Sequence, residues 1–321
     1  MAYPDFVCMG FQKCGTTTLF DLLKQHPDIV LCRDVKEPMF YRVPFMHILG
    51  RKYYRKRYFG HVPAGDGRLK GEINAGLTFN NCAKKLGRDM EPGTKMIFMI
   101  RDPVSRSYSA YKYFLARGFL PVGTIKDDIE NGHAVSFDRY VRSVLERPGK
   151  RRRVMKSRLK YLVLSQSNYA DCIEEYLNKF DLENMEFVVF EEFIKDQHKS
   201  CREVYAFLDV GDVTEIDYDM RSNEGKEKPL SPFWTRLFMV VRGMNHFFYD
   251  LCAMTHWAPG LYGRFYSGCY EKVRMKAMAD DTDRSGMMPE TRKYLQSYFE
   301  DDVKRTEKIT GRSLRKLWGW V

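Results

Sequence analysis

The chain has 321 residues, 44% hydrophobic and 14% aromatic, a composition that suits an ordinary globular protein with one sizeable core. Its formal net charge of +11 favours anionic ligands, whether nucleotides, sulfated or uronic-acid sugars, nucleic acid or a membrane surface, and charge alone does not choose among them. The eight cysteines are scattered, with no CxxC pair and no histidines at zinc-finger spacing, so the sequence argues against a metal site and needs no disulfide.

In chain order, Phe6 to Met9 is an apolar run that ends in Gly10, and the pattern Leu19, Leu22, Leu23, His26 continues until Pro27: strand, glycine-containing loop, helix. No basic region followed by a long apolar run precedes it, so no signal peptide is expected. A second strand, Ile29 to Cys32, leads into Lys36-Glu37-Pro38-Met39-Phe40-Tyr41, where Pro38 predicts a loop at a strand end. Pro92-Gly93 is a turn, Lys95 to Ile100 a strand, and Asp102-Pro103 supplies the N-cap and first residue of a helix with Val104, Tyr108, Tyr111 and Leu115 inward. Tyr169, Cys172, Ile173, Tyr176, Leu177 and Phe180 form a helical stripe, followed by a strand from Glu186 to Phe190 and a helix through Tyr205 to Leu208. This alternation predicts an α/β fold, a central, mainly parallel sheet flanked by helices. Residues 232–285 break the pattern and are expected to be an insertion or lid within a single domain spanning 1–321. Their apolar stretch carries Arg236, Arg242, Asn245, His246 and Asp250 and fails as a membrane span. A terminal helix resumes near Pro289.

Two motifs carry the chemistry. In Gly10-Phe11-Gln12-Lys13-Cys14-Gly15-Thr16-Thr17-Thr18, loop amides and a helix N-terminus suit an anion of phosphate size. A nucleoside-triphosphatase P-loop has its lysine directly after the second glycine, but Thr16 stands there and the lysine is Lys13. In Arg101-Asp102-Pro103-Val104-Ser105-Arg106-Ser107-Tyr108-Ser109, Arg101 leaves a strand end and Ser109 lies on the next helix, a set of donors suited to a phosphomonoester. A P-loop kinase would place an acidic Mg²⁺ ligand where Arg101 stands.

The first motif resembles the 5′-phosphosulfate loop of sulfotransferases that use 3′-phosphoadenosine-5′-phosphosulfate (PAPS), and the second is similar to their 3′-phosphate motif. The resemblance covers residues 5–231 and the terminal helix from about 288. It implies a P-loop-NTPase-like sulfotransferase fold and PAPS as co-substrate, with PAP as product and no metal. Lys13, Cys14, Gly15, Thr16, Thr17 and Thr18 are then expected at the phosphosulfate and Arg101 with Ser109 at the 3′-phosphate. Lys226, in Ser222-Asn223-Glu224-Gly225-Lys226, is expected in a loop closing over the nucleotide. Glu37, separated by two residues from the pair Phe40-Tyr41, matches the glutamate that acts as general base in the glycosaminoglycan sulfotransferases, and Lys13 shares the catalytic role.

For the acceptor, Lys36, Glu72 and Asn74 are the expected contacts. The Lys-Cys-Gly-Thr-Thr and Lys-Glu-Pro forms look closest to the enzyme that 6-O-sulfates N-acetylgalactosamine 4-sulfate in chondroitin, while Ile73 replaces a lysine of the heparan enzymes. An anionic oligo- or polysaccharide or a glycolipid is the expected partner. The basic clusters 51–58 and 150–160 suit a polyanion or are solvated helix faces, a peripheral membrane contact is an expectation for residues 232–285, and no nucleic-acid-binding signature is present. His26 is expected to bond the last carbonyls of its own helix. A cytoplasmic enzyme is expected, although a Golgi enzyme trimmed of its anchor would read the same. Two alternatives stay open: a nucleotide-dependent kinase of P-loop type and a non-catalytic PAPS- or PAP-binding protein.

Overall fold

A computed structural model describes residues 4–33, 36–79, 82–116, 136–145, 163–213, 215–218 and 286–321. Five strands, β1 (Phe6–Cys8), β2 (Ile29–Leu31), β3 (Leu69–Ile73), β4 (Lys95–Ile100) and β5 (Met185–Val189), form one parallel sheet in the order β2-β3-β1-β4-β5. The central strand is apolar and fully buried, as expected where helices cover a parallel sheet. Phe6 stands in register with Gly71 of β3 on one side and Lys95 of β4 on the other.

The helices are α1 (Thr16–Leu23), α2 (Pro44–Ile48), α3 (Gly50–Phe59), α4 (Cys82–Asp89), α5 (Pro103–Ala116), α6 (Phe137–Leu145), α7 (Tyr169–Leu177), α8 (Phe190–Lys195), α9 (Gln197–Leu208), α10 (Pro289–Thr310) and α11 (Leu314–Leu317). The expected alternation of strand and helix is therefore present, and β3 and α2 to α4 add elements that the apolar runs did not disclose. No helix among the described residues is long and apolar enough to cross a membrane.

The chain divides into two compact units, Met1–Arg106 with Gln166–Glu224 and Gln296–Val321, and Ser107–Ser165 with Gly225–Leu295. The sheet lies in the first. In the second, Tyr108 and Tyr111 of α5 pack on Phe137 of α6, each at a ring separation of 5.2 Å. Residues 232–285, the basic run 150–160 and Lys226 lie outside the described residues.

The parallel order places a change of direction between β1 and β4, since the connection from β1 runs toward β2 and that from β4 toward β5. Ligands of open α/β sheets bind at such a point, beyond the carboxyl ends of the strands. His26 corrects an expectation: rather than bonding carbonyls of α1, its Nε2 donates to the Gly211 carbonyl at 2.9 Å, and its Nδ1 accepts from the Asp28 amide. It ties the loop before β2 to the chain beyond α9.

Candidate active site

The loop after β1 is built by extending the β1–β4 ladder past the strand. The Met9 amide donates to the Ile97 carbonyl (2.8 Å) and the Phe11 amide to that of Met99 (3.0 Å). The chain then turns through two left-handed residues, Lys13 (φ 72°) and Gly15 (φ 89°), into α1. Gly15 suits this position, because a Cβ there would strain the backbone and press to 3.0 Å from the Phe190 ring. Lys13 has no such freedom, and a non-glycine residue keeps this conformation only where its surroundings over-determine it. Two arginines do so: Arg101 Nη1 donates to the Lys13 carbonyl (3.1 Å) and Arg106 Nη1 to the Gln12 carbonyl (3.2 Å).

No acidic residue occupies the first turn of α1 and, among the described residues, no side chain caps it, so its first amides and the positive end of its dipole suit an anion. Cys14, within the loop, is fully buried, and burial pushes its thiol up to about 12. Burial thus disfavours the thiolate form of Cys14.

Arg101 leaves the carboxyl end of β4 with its guanidinium 4.3 Å over the Phe190 ring, and its buried Nε has no hydrogen-bond partner among the described residues. The expected cap forms at the next residue: Asp102 Oδ2 accepts from the Ser105 amide and hydroxyl at the start of α5. Asp102 and Glu191 are in turn gripped by the C-terminal tryptophans, Trp320 Nε1 donating to Asp102 Oδ1 (3.2 Å) and Trp318 Nε1 to Glu191 Oε2 (3.0 Å). Ser109 lies half-buried on α5, in the second unit.

Arg106 is fully buried, its Nε donating to Ser167, whose hydroxyl donates to the Pro103 carbonyl (3.0 Å). Sequence reasoning missed it. Helical spacing sets residue 106 opposite the inward Val104, Tyr108, Tyr111 stripe, so periodicity gave no sign of a buried arginine.

The loop after β2 carries Lys36 and Glu37. Lys36 Nζ donates to the hydroxyls of Thr17 (2.8 Å) and Thr16 (3.2 Å), at the start of α1. Burial lowers its pKa, against the opposing influence of Glu37. The Glu37 side chain is 38% exposed, and its carboxylate stands 3.9 Å from both Lys36 and Arg42. Phe40 and Tyr41, the aromatic pair behind it, are fully buried, and Phe40 packs on Tyr54 of α3 at 5.0 Å.

Glu72 and Asn74, at the carboxyl end of β3, are fully buried as well. Glu72 accepts from the Tyr54 hydroxyl on one oxygen and from Asn74 Nδ2 (2.7 Å) on the other, and the same Asn74 nitrogen donates to the Pro38 carbonyl (2.7 Å). Burial drives the Glu72 carboxyl up to about 7, with the two hydrogen bonds opposing. Asn74 therefore braces the loop at Pro38, and Glu72 holds Asn74 in place. Loops from the carboxyl ends of four neighbouring strands thus supply Lys13, Lys36, Glu37, Asn74 and Arg101.

A comparison with known families matches residues 3–257 to the sulfotransferase domain. The chain belongs to the sulfotransferase family. Within that family, human carbohydrate sulfotransferase 15 is 23% identical over 291 residues, covering 74% of this chain and 51% of that protein. Mouse heparan sulfate glucosamine 3-O-sulfotransferase 3B1 is 26% identical over 212 residues, covering 64% and 46%. The membrane-associated sulfotransferase kil1 of Dictyostelium discoideum is 30% identical over a shorter stretch of 114 residues, 35% of this chain and 23% of that protein. This sulfotransferase domain spans about half or less of the length of these relatives. A crystal structure of a sulfotransferase from Alicyclobacillus acidocaldarius shares the fold, with a TM-score of 0.52 and 23% identity over 82% of this chain and 100% of that one. Among the described residues of the sulfotransferase domain, no group of three or more His, Cys, Asp or Glu could hold a metal ion.

Proposed function

We propose that the chain transfers a sulfuryl group from PAPS to a hydroxyl or amine of a carbohydrate acceptor, with Glu37 as general base. The observation that carries the donor half is the hydrogen bond from Arg101 to the carbonyl of Lys13, 88 residues away in sequence. It makes one unit of the two anion-binding motifs, as a nucleotide with phosphate at both ends requires. The residues fit that donor: amides at the start of α1, Lys13 and the threonines suit the phosphosulfate, and the buried Nε of Arg101, unpartnered among the described residues, suits a second phosphate.

Lys13 and the amides of α1 hold the donor and meet negative charge as it develops on the leaving 5′-phosphate. Glu37, the solvent-reached carboxylate of the loop after β2, takes the acceptor proton. For the acceptor, support comes from the carbohydrate and heparan sulfate names of the relatives and from a net charge of +11, which favours an anionic sugar chain.

Calorimetry with PAP and with ATP plus Mg²⁺ tests the donor, and mass spectrometry of a glycan panel incubated with PAPS tests the acceptor. PAP should bind, Mg²⁺-ATP should not, and at least one glycan should gain the mass of a sulfuryl group. Binding of ATP in preference to PAP would refute the proposal.

A further inference from the structure

Lys36 and Glu37 are consecutive in the chain but have different partners. Lys36 donates two of its N–H groups to neutral hydroxyls, Thr16 and Thr17, and the carboxylate beside it stands at 3.9 Å, beyond hydrogen bonding. Its side chain is only 22% exposed, and that burial lowers its pKa against the opposing charges of Glu37 and Asp21. The helix it touches has no acidic residue in its first turn, and Asp21, further along the same helix, acts on it through space. A cation so placed, bonded to the first residues of α1, adds to the field of a helix N-terminus already suited to an anion.

We infer that Lys36 is a catalytic residue of the donor end, its ammonium contacting the sulfuryl group in transfer, an inference that rests on the proposed use of PAPS. As the bond between the acceptor oxygen and sulfur forms, the bond between sulfur and the 5′-phosphate oxygen breaks. That electron pair stays on the 5′-phosphate of PAP, and the acceptor proton goes to Glu37. Lys36 exchanges no proton; with Lys13 it meets the negative charge spread over the sulfuryl oxygens and the leaving phosphate. The Thr16 and Thr17 hydroxyls hold the ammonium in place before the donor arrives, so little reorganisation is needed during the reaction.

Lys36→Met in the full chain tests this, with Lys36→Gln, which still bonds the two hydroxyls, taking its place should the methionine variant not fold. Without acceptor, calorimetry should show PAPS affinity falling about 10-fold while PAP affinity moves by less than about 3-fold, the loss following the sulfuryl group. With every acceptor that the wild type uses, kcat should fall by roughly 100-fold and by the same factor, with acceptor KM nearly unchanged. Lys36→Arg should recover part of the rate. A raised acceptor KM with normal kcat would return Lys36 to the acceptor side, and equal losses for PAPS and PAP would make it a ground-state phosphate contact; either overturns the inference. A wild type that fails to bind PAP overturns the donor assignment instead, so the two failures are distinguishable.

Discussion

Two carboxylates at neighbouring strand ends, Glu37 and Glu72, present opposite environments, and these decide which can reach an acceptor. Glu37 is partly exposed between Lys36 and Arg42, whereas Glu72 is sealed, with one oxygen held by Tyr54 and the other by Asn74. Glu37→Gln should therefore lower the single-turnover rate by roughly 10²–10⁴-fold with PAP affinity unchanged. Near-normal turnover in that variant would move the base elsewhere, and the burial of Glu72 makes it a poor substitute. At the other end of the nucleotide, Arg101→Ala should weaken PAP by about 1.5–3 kcal/mol, the worth of a charged hydrogen bond. Because Arg101 also braces the Lys13 carbonyl, dephospho-PAP should lose affinity too, but less. Calorimetry with the two nucleotides separates these roles, and equal losses would leave Arg101 as a loop brace alone.

At the scale of elements, the strands legible in the sequence are those with unbroken apolar runs: β1, β2 and β4 within one residue of their observed ends, and β5 shifted by one residue. Strand β3 was not legible, because Leu69-Lys70-Gly71-Glu72-Ile73 mixes two charges and a glycine, yet it is paired on both sides. Its composition follows from what it packs against: a Cβ on Gly71 would lie 2.1 Å from the Phe6 ring, and Glu72 is buried only because Tyr54 and Asn74 satisfy it. The cofactor motifs were legible because they combine fixed spacing with a place at a strand end. The bracing residues Arg106, Tyr54 and Asn74 act through tertiary contacts that no local pattern encodes. Gly71→Ala should consequently destabilise the fold by about 1–3 kcal/mol, the usual cost of overpacking. Gly93→Ala, with no atom within 4 Å of the added carbon, should change stability by less than about 1 kcal/mol. Urea midpoints measure both, and equal effects would mean that Phe6 yields freely.

For the whole molecule, placing the site at the carboxyl end of the sheet, braced by a buried acid, has a consequence for stability against pH. The Glu72 carboxyl, raised to about 7 in the folded chain by burial, lies near the usual carboxylate range when unfolded, so between these values the folded state binds the extra proton. Stability from this group is therefore undiminished below the unfolded value. It declines as pH rises toward 7, and the loss is complete above that. Asp302, which accepts from the Tyr169 and Ala170 amides at the start of α7, is raised by burial to about 6 and acts in the same direction. Glu72→Gln removes the titration while keeping an acceptor for Asn74 and offering an N–H to the Tyr54 oxygen. Relative to wild type, the variant should therefore gain stability between pH 5 and pH 8, by on the order of 1–3 kcal/mol. Asp302→Asn should gain over a lower window, from pH 4 to pH 6.5, because the raised value is lower there. Urea unfolding of the three proteins at these pH values measures the gains. A stability difference independent of pH would mean that Glu72 stays in one ionisation state throughout, with the Tyr54 and Asn74 hydrogen bonds outweighing burial.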